Sequence, residues 1–325
     1  MSSLANNCEL PLRNHIENFI AFKRASGYKA DHLVKILHRF INFAEKWEPG
    51  LTTVTKNVAE RWENMSPEET PANQRSRKSA VQELSRYLIS KGITSYLYPK
   101  QKNVKSSFTP YIFSDKELSK FFTACDNTKT PNLVRKDVVS LIFRMIYSCG
   151  LRASEAVNLT IQDVDLVQGT IFIRGTKFNK ERLLPVHDSL LKRMKIYHSN
   201  VLTMYGPDAP FFPKGKGGKY TTGGLYSIFR ERLLAAGISH GGKGNGPRVH
   251  DLRHTFAVHS LRKAVQNGLD VNSMLKYLSV YLGHSEVHSS ENYLRLTADI
   301  FPDIVFRMER DFDVIPDMEV NNETN

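Results

Sequence analysis

The chain has 325 residues, of which 41% are hydrophobic and 24% are charged, a composition typical of a globular protein with more than one core. This composition excludes a disordered chain, a coiled coil and a collagen-like repeat. The chain carries 45 basic and 33 acidic side chains, and the resulting net charge of +12 favours a polyanionic partner such as nucleic acid.

The positive charge is concentrated in the middle of the chain. Residues 101–250 carry 23 basic and 11 acidic side chains, whereas the last 25 residues carry 2 basic and 7 acidic ones. This distribution predicts that the middle faces phosphate and that the acidic tail, residues 313–325, faces protein or solvent. On charge alone, a generally basic protein without such a partner is the alternative.

The three cysteines are Cys8, Cys125 and Cys149, and no two of them form a CxxC pair. They are interpreted as reduced thiols, without a disulfide framework or a zinc site. The N-terminal segment has neither a continuous apolar run nor a basic leader, and no stretch of about 18 apolar residues occurs. We therefore expect a cytoplasmic, nucleoid-associated protein without a membrane partner.

Four amphipathic helices are predicted in the first hundred residues from the spacing of apolar side chains and from cap residues. Their starts and ends are marked by Gly27, Asp31, Thr55, Thr70-Pro71 and Gly92. Such helices bury their apolar stripes against each other, which predicts a helical domain over residues 1–98.

A linker and a second domain are predicted after the four helices. Residues 99–110, PKQKNVKSSFTP, contain three lysines, two serines and two prolines, which is the composition of a linker. Ser114 begins a capping box that starts the second domain, predicted over residues 111–312. Thr130-Pro131 is predicted to open a long buried helix that ends at Gly150.

A small antiparallel sheet is predicted next. Val164–Val167 and Thr170–Ile173 have the pattern of a hairpin, and Arg182–Val186 supplies a third strand after the turn 175–180.

The rest of the second domain is predicted to be helical, with glycine-rich basic loops at 213–224 and 237–247. The fold class is therefore mainly α with a small antiparallel β-sheet.

Two arginines are the first candidate site residues. Arg152 follows the glycine that ends the buried helix, where its side chain can point into a cleft. Arg253 lies three residues after His250, on the same face if this segment is helical. Two guanidinium groups that converge on one point form a bidentate phosphate clamp, although each arginine alone is more typical of a surface ion pair.

Tyr293 and His284 form the second candidate pair. His284 lies in a turn, and Tyr293 follows nine residues later, which brings a histidine and a hydroxyl group to one site. An isolated tyrosine on a helix is otherwise a packed side chain.

Five motifs in this order together resemble the tyrosine recombinases, the group of lambda integrase, Cre and Xer proteins. They are GLRASE at 150–155, KFNKERLLPV at 177–186, HDLRHTFA at 250–257, LGHS at 282–285 and Tyr293. The resemblance covers residues 110–300 and implies two domains, a helical core-binding domain and a mixed α/β catalytic domain.

The resemblance implies a reaction on DNA. Tyr293 would attack a phosphodiester and give a 3′-phosphotyrosyl enzyme with a free 5′-hydroxyl. Arg152 and Arg253 would hold the non-bridging oxygens, and Lys177 would donate a proton to the leaving 5′-oxygen. Lys180 in the same turn is the alternative donor.

The resemblance also assigns supporting roles. His250 would assist proton transfer from the tyrosine, His284 would hydrogen-bond the phosphate, and Glu155 would support the histidine. The other nearby histidines match no catalytic position and are interpreted as structural or surface residues: His254, His259 and His288.

We expect no cofactor and no metal. A phenol with a pKa near 10 is a weak nucleophile that needs a base and stabilisation of charge, which arginines supply without a metal. The sequence has neither an acidic cluster typical of two magnesium ions nor a GxxxxGK[ST] loop.

Two segments near the C-terminus carry further expectations. The 31 residues from Arg253 to His284 exceed the usual family spacing, and the extra length around Ala264–Tyr281 is predicted to be an elongated helix or a loop. Ile300–Phe312 is predicted to be a C-terminal helix from its apolar stripe. The resemblance implies that this helix docks onto a neighbouring subunit, and packing onto its own domain is the alternative.

The expected function is site-specific recombination of double-stranded DNA by a tetramer of subunits on two DNA sites. The favoured role is integration, excision or transposition of a mobile element, and Xer-type dimer resolution is the alternative. Two further alternatives are a type IB topoisomerase, which would relax DNA without sequence preference, and a non-catalytic DNA-binding protein, which would lack one of the central residues.

Overall fold

The computed structural model describes residues 10–28, 30–66, 68–99, 109–174, 181–215, 217–242 and 246–283, with residues 293, 296 and 297. The chain divides into two compact units, Met1–Ser106 and Ser107–Asn325. Among the described helices, none combines the length and the hydropathy that a membrane span requires.

Several sequence predictions lie outside the described residues. They concern most of the linker, residues 100–108, the helix predicted at Ile300–Phe312 and the acidic tail, residues 313–325. The domain limits drawn from the sequence, 1–98 and 111–312, therefore stay predictions.

The first unit contains the four predicted helices: α1 (Leu12–Ala25), α2 (Asp31–Trp47), α3 (Lys56–Glu63) and α4 (Pro71–Ser90). The predicted caps are confirmed, because Thr55 accepts a hydrogen bond from the Val58 N–H and Thr70 accepts one from the Asn73 N–H. Trp62 is fully buried at the centre of this unit, with the Phe40 ring 5.3 Å away.

The second unit is mostly helical in its described part. Its helices are α5 (Asp115–Asp126), α6 (Leu133–Ser148), α7 (Ala153–Asn158), α8 (Asp188–Tyr197), α9 (Thr222–Ala235), α10 (Val249–Gln266) and α11 (Val271–Leu282). The capping box at Ser114 is confirmed, since Ser114 accepts from the Glu117 N–H and Glu117 accepts from the Ser114 N–H. The hydrophobic core of this unit surrounds α6, which is buried along most of its length.

The predicted three-stranded sheet is present, with β1 (Val164–Asp165), β2 (Thr170–Ile173) and β3 (Arg182–Pro185) in that order. Both pairs of strands are antiparallel, and Ile171 lies opposite Leu184 in the core. The turn 175–180 between β2 and β3 lies outside the described residues.

One loop prediction and one helix start were wrong in part. The segment 213–224 contains a second small hairpin of β4 (Pro213–Lys214) and β5 (Gly218–Lys219), followed by the first turn of α9. The buried helix α6 begins at Leu133, because Asn132 accepts a hydrogen bond from the Arg135 N–H and is the cap residue.

The segment expected to hold the extra length, Ala264–Tyr281, is divided between two helices. The prediction of an elongated helix or a loop was wrong, because α10 ends at Gln266 and α11 begins at Val271. Gly268 adopts a φ of 70° in the connection, and the Asp270 carboxylate caps α11 by accepting from the Ser273 N–H.

Candidate active site

The turn between α6 and α7 positions the first arginine. Gly150 has a φ of 58°, and a methyl group at this position would lie 2.6 Å from Leu282 Cδ2 and 2.8 Å from Phe256 Cδ1. Only glycine therefore allows α10 and α11 to come this close to the turn. Arg152 follows two residues later, and its side chain is 30% exposed.

The second arginine comes from the first turns of α10, as the helical spacing of HDLR predicts. Arg253 is 1% exposed and donates from Nη1 to the Gly150 carbonyl at 2.8 Å. Its Nη2 donates to the Leu282 carbonyl at 2.7 Å. Arg253 thereby connects the α6–α7 turn to the end of α11.

The two arginines converge at the end of α11. Arg152 Nη2 donates to the carbonyl of Gly283 at 3.1 Å, next to the Leu282 carbonyl that Arg253 binds. Gly283 has a φ of 67°, which ends α11 and turns these successive carbonyls toward the guanidinium groups. Arg152 and Arg253, which are far apart in the sequence, therefore bind adjacent residues at the end of α11.

A buried carboxylate lies between the guanidinium groups. Glu155 is 6% exposed and accepts hydrogen bonds from Arg152 Nη1 at 2.7 Å and from Arg182 Nη2 at 2.7 Å. Arg253 Nη1 lies 4.0 Å from the same carboxylate. Burial by itself raises the pKa of Glu155, but the hydrogen bonds and charges of Arg182 and Arg152 outweigh it and lower the pKa below 4.5.

The electrostatic balance of the site is positive. Burial, and then the charge of Arg152, lower the pKa of Arg253 to about 10, so this group is still protonated at pH 7. Three guanidinium groups face one carboxylate, so the cluster has an excess of positive charge that favours an anion. Arg253 Nε has no hydrogen-bond partner among the described residues.

His250 lies at the start of α10 beside this cluster. Its pKa is lowered to about 4, first by partial burial and then by the charges of Arg253 and Arg152. Glu155 acts in the opposite direction on the pKa of His250. The imidazole is therefore neutral at pH 7, although part of its surface is exposed.

Tyr293 is buried next to the arginines. It is 3% exposed and belongs to a cluster of apolar side chains that includes Leu275, Leu278 and Leu282. Burial raises the pKa of the phenol, and the positive charge of Arg253 opposes this rise. The hydroxyl group consequently carries its proton at neutral pH.

A histidine that the sequence indicated to be structural contacts the tyrosine. His254 Nδ1 lies 3.1 Å from Tyr293 Oη, within hydrogen-bond distance. The His254 ring stands edge to face against the His250 ring, with the centroids 4.7 Å apart. The available signal was the spacing of four residues between the two histidines, which places them on one helix face.

The structure thus brings together five of the residues predicted from the sequence. They are Arg152, Glu155, His250, Arg253 and Tyr293. Lys177, Lys180, His284 and His288 lie outside the described residues.

Arg182 was also missed as a site residue, although it lies within the KFNKERLLPV motif. Nothing in the order of the chain showed that the start of β3 meets the Glu155 carboxylate.

His259 agrees with its structural interpretation. Its Nδ1 lies 3.0 Å from Tyr147 Oη and 3.8 Å from the Asp115 carboxylate, and these contacts hold α10 against α5 and α6.

The part of the chain that the structure describes contains no group of three His, Cys, Asp or Glu side chains placed to hold a metal ion.

Comparisons with known proteins agree with the motifs. Residues 112–299 match the model of the phage integrase family. The chain is 26% identical over 313 residues to a putative integrase/recombinase, y4rB, of Sinorhizobium fredii. This alignment covers 92% of this chain and 97% of the relative. Over 308 residues the chain is 29% identical to the tyrosine recombinase XerC of Oceanobacillus iheyensis, with 90% and 94% coverage.

The fold is also that of a solved recombinase structure. The XerH site-specific recombinase bound to a palindromic difH substrate matches with a TM-score of 0.61 and 24% identity. The match covers 87% of this chain and 79% of that one.

Proposed function

This chain belongs to the phage integrase family and is a tyrosine-type site-specific DNA recombinase, and we propose that Tyr293 cuts and rejoins DNA through a 3′-phosphotyrosyl intermediate. The observation that carries the proposal is the convergence of two distant arginines. Arg152 and Arg253 donate to successive carbonyls at the end of α11, beside the buried hydroxyl group of Tyr293.

The proposed roles follow from this arrangement. The phosphate enters from the side of Arg152, whose side chain is partly exposed, and reaches the buried guanidinium of Arg253. Both groups hold the non-bridging oxygens and stabilise the charge that develops in the transition state. Glu155 keeps the guanidinium groups together, since positive charges at this spacing repel each other without a carboxylate between them.

The leaving group and the phosphate need further donors. We assign Lys177 to the protonation of the leaving 5′-oxygen, with Lys180 as the alternative, and His284 to a hydrogen bond with the phosphate. His250 is assigned to proton transfer by the same resemblance. Because one phosphodiester replaces another, the reaction needs no nucleotide cofactor.

The proposed partner is a double-stranded recombination site. The net charge of +12 supports a DNA partner, as does the related XerH recombinase, which is bound to its difH substrate in its solved structure. We propose that four subunits act on two such sites, so that strands can be exchanged between them.

The proposed biological role is integration, excision or transposition of a mobile element. The match to y4rB, a putative integrase/recombinase, over nearly the full length of both chains favours this role. Xer-type resolution of chromosome or plasmid dimers is the second candidate, because XerC of Oceanobacillus iheyensis matches over a similar length.

The test is covalent capture of DNA. The full chain is incubated with randomly nicked fragments of the source genome, and DNA that stays bound to protein after denaturation is sequenced. We call the duplex recovered in this way the trapped site. The wild type is expected to yield one such site and Tyr293→Phe to yield none, because phenylalanine has no nucleophilic oxygen.

The matched control for this capture is Tyr277→Phe, since Tyr277 is 70% exposed on α11 and outside the site. This variant should capture DNA as the wild type does. A covalent adduct with Tyr293→Phe would overturn the proposal. Trapped sites at the ends of repeated segments would favour the mobile-element role, and a single chromosomal site would favour dimer resolution.

A further inference from the structure

The motifs assign no catalytic role to His254, but its Nδ1 atom contacts the proposed nucleophile. It lies 3.1 Å from Tyr293 Oη, and the two ring centroids are 5.6 Å apart. In the tautomer that carries hydrogen on Nε2, Nδ1 accepts a hydrogen bond from the tyrosine hydroxyl. A base must reach the proton that it removes, and this geometry satisfies that condition.

Tyr293 needs such an acceptor because its phenol is protonated before attack. The side chain is buried among leucines, and burial keeps the pKa above its ordinary value despite the charge of Arg253. An attack by the neutral hydroxyl group releases a proton at Oη as the bond to phosphorus forms. The proton leaves most directly along an existing hydrogen bond.

His250 is placed differently from His254. Partial burial lowers the pKa of His250, and the charges of Arg253, Arg152 and Arg248 lower it further. A histidine beside several guanidinium groups is a weak base, but it can donate a hydrogen bond to phosphate through N–H. The His250 ring stacks edge to face on the His254 ring, and so fixes its position.

We propose that His254 is the general base of the reaction, which takes the proton from Tyr293 Oη through Nδ1 when the phosphotyrosine bond forms. This inference rests on the proposed role of Tyr293 as the nucleophile. It reassigns proton transfer from His250 to the histidine one helical turn later.

The step balances in both directions. In cleavage the O–H bond of Tyr293 breaks, its oxygen bonds to phosphorus, and the proton moves to His254. The P–O5′ bond breaks, and the 5′-oxygen takes a proton from the general acid assigned to Lys177. In rejoining, the 5′-hydroxyl attacks phosphorus, and His254 returns its proton to the leaving tyrosine oxygen.

The start of α10 holds His254 in this position. The Asp251 carboxylate accepts from the Arg248 N–H at 2.8 Å, which caps the helix. Thr255 donates to the Asp251 carbonyl at 2.7 Å and accepts from the Phe113 N–H at 3.0 Å. Neighbouring helix residues point about 100° apart, so Arg253 and His254 approach Tyr293 from different sides.

The experiment measures the single-turnover rate of adduct formation on the trapped site for His254→Ala and His254→Asn. The asparagine side chain keeps an acceptor oxygen close to the place of Nδ1, but it takes no proton at neutral pH. Each variant is also tested on a duplex whose scissile 5′-oxygen is replaced by sulfur. A thiol is a much stronger acid than an alcohol, so a sulfur leaving group needs no general acid.

If His254 is the base, both variants lose about a hundredfold in rate on both duplexes, because general-base catalysis contributes on this scale. DNA affinity stays unchanged, since His254 is not assigned to the phosphate. In contrast, Lys177→Ala regains its rate with the sulfur duplex. If His254→Asn keeps the wild-type rate, His254 only orients the tyrosine. If the sulfur duplex restores the rate of His254→Ala, His254 acts on the leaving group. Either result overturns the inference.

The chain offers a matched control on the same helix. His259 Nδ1 contacts Tyr147 Oη at 3.0 Å, the same type of pair as His254 and Tyr293, but Tyr147 is not the proposed nucleophile. His259→Asn is expected to keep the wild-type rate per folded molecule, with folding checked by circular dichroism. If Tyr293→Phe still forms the adduct, the proposed function fails. If Tyr293→Phe forms no adduct but His254→Asn reacts at the wild-type rate, the proposed function stands and this inference alone fails.

Discussion

At the centre of the site, one carboxylate determines where the guanidinium groups lie. Glu155 binds Arg152, which is three residues earlier in the chain, and Arg182, which is 27 residues later. The residues of the motifs could be recognised from the sequence because their order and types are specific. The contact of Arg182 with Glu155 could not, because it depends on how β3 packs against α7.

Arg182→Gln is expected to lower the rate of adduct formation about tenfold, which corresponds to about 1.4 kcal/mol in the barrier. Without Arg182, Glu155 loses two of its hydrogen bonds and binds Arg152 away from the phosphate. The rate on the trapped site measures this effect. Arg174→Gln is the control, because Arg174 is half exposed directly after β2, where it pairs with Asp163. An equal loss of rate in this variant would contradict the role of Arg182.

Glu155→Gln is expected to destabilise the second unit by about 3 kcal/mol at pH 7, since it leaves buried positive charges without their counter-charge. The lowered pKa of Glu155 means that its stabilising effect is fully present above pH 4.5 and is lost as the pH falls through that lowered pKa. The difference in unfolding midpoint between wild type and variant should therefore shrink below pH 4.5.

Circular dichroism at several pH values measures this difference. The exposed Glu181 provides the control, and Glu181→Gln should match the wild type at each pH. If the difference in unfolding midpoint between wild type and Glu155→Gln stays constant down to pH 3, the loss of stability does not come from the charge of Glu155.

At the scale of elements, the glycine at the end of α6 determines whether three helices can meet. The sequence predicted this helix end and most caps, because they depend on residues close in the chain, such as Thr55, Thr70 and Ser114. It missed the break between α10 and α11, although Gly268 and Asp270 are ordinary end and cap residues. The length of this segment alone does not distinguish one longer element from two helices, and only these two residues mark the break.

Gly150→Ala is expected to destabilise the second unit by about 2–4 kcal/mol. The left-handed backbone costs about 1 kcal/mol for alanine, and the contacts of the new methyl group with Leu282 and Phe256 cost about 1–3 kcal/mol more. Gly268→Ala should cost only about 1 kcal/mol, because Gly268 also has a positive φ but no atom lies within 4 Å of the added methyl group.

The two tryptophans make the measurement of these glycine variants specific. Trp47 and Trp62 both belong to the first unit, so their fluorescence reports the unfolding of that unit, and circular dichroism reports both. Because the hydrophobic cores are separate, Gly150→Ala should lower the denaturation midpoint only in circular dichroism. Equal losses of stability in Gly150→Ala and Gly268→Ala would contradict the close approach at residue 150.

At the scale of the whole molecule, the excess of positive charge predicts how DNA is held. Its distribution can be read directly along the chain, with 23 basic and 11 acidic side chains in residues 101–250. The family could likewise be recognised from the order of the motifs alone, because five motifs in one order are specific. The recognition sequence in the DNA could not be predicted, because base contacts depend on how the protein surface meets the grooves of the duplex. The tetramer was expected from the resemblance to the family and not from any residue pattern in this chain.

The affinity for the trapped site is expected to fall about a thousandfold between 50 and 200 mM salt, because cations released from the phosphates contribute to binding. Fluorescence anisotropy of a labelled duplex at several salt concentrations measures the slope. The Tyr293→Phe variant is suited to this titration, because it binds without forming the adduct. An affinity that does not change with salt would contradict a phosphate clamp built from arginines.

The most direct test of the site as a whole is to locate the bond between protein and DNA. The captured adduct is digested with nuclease and protease, and the modified peptide is sequenced by tandem mass spectrometry. We predict a nucleotide joined through its 3′-phosphate to Tyr293, with a free 5′-hydroxyl on the other DNA end. A nucleotide on any other residue, or a 5′-phosphate link to Tyr293, would contradict the account.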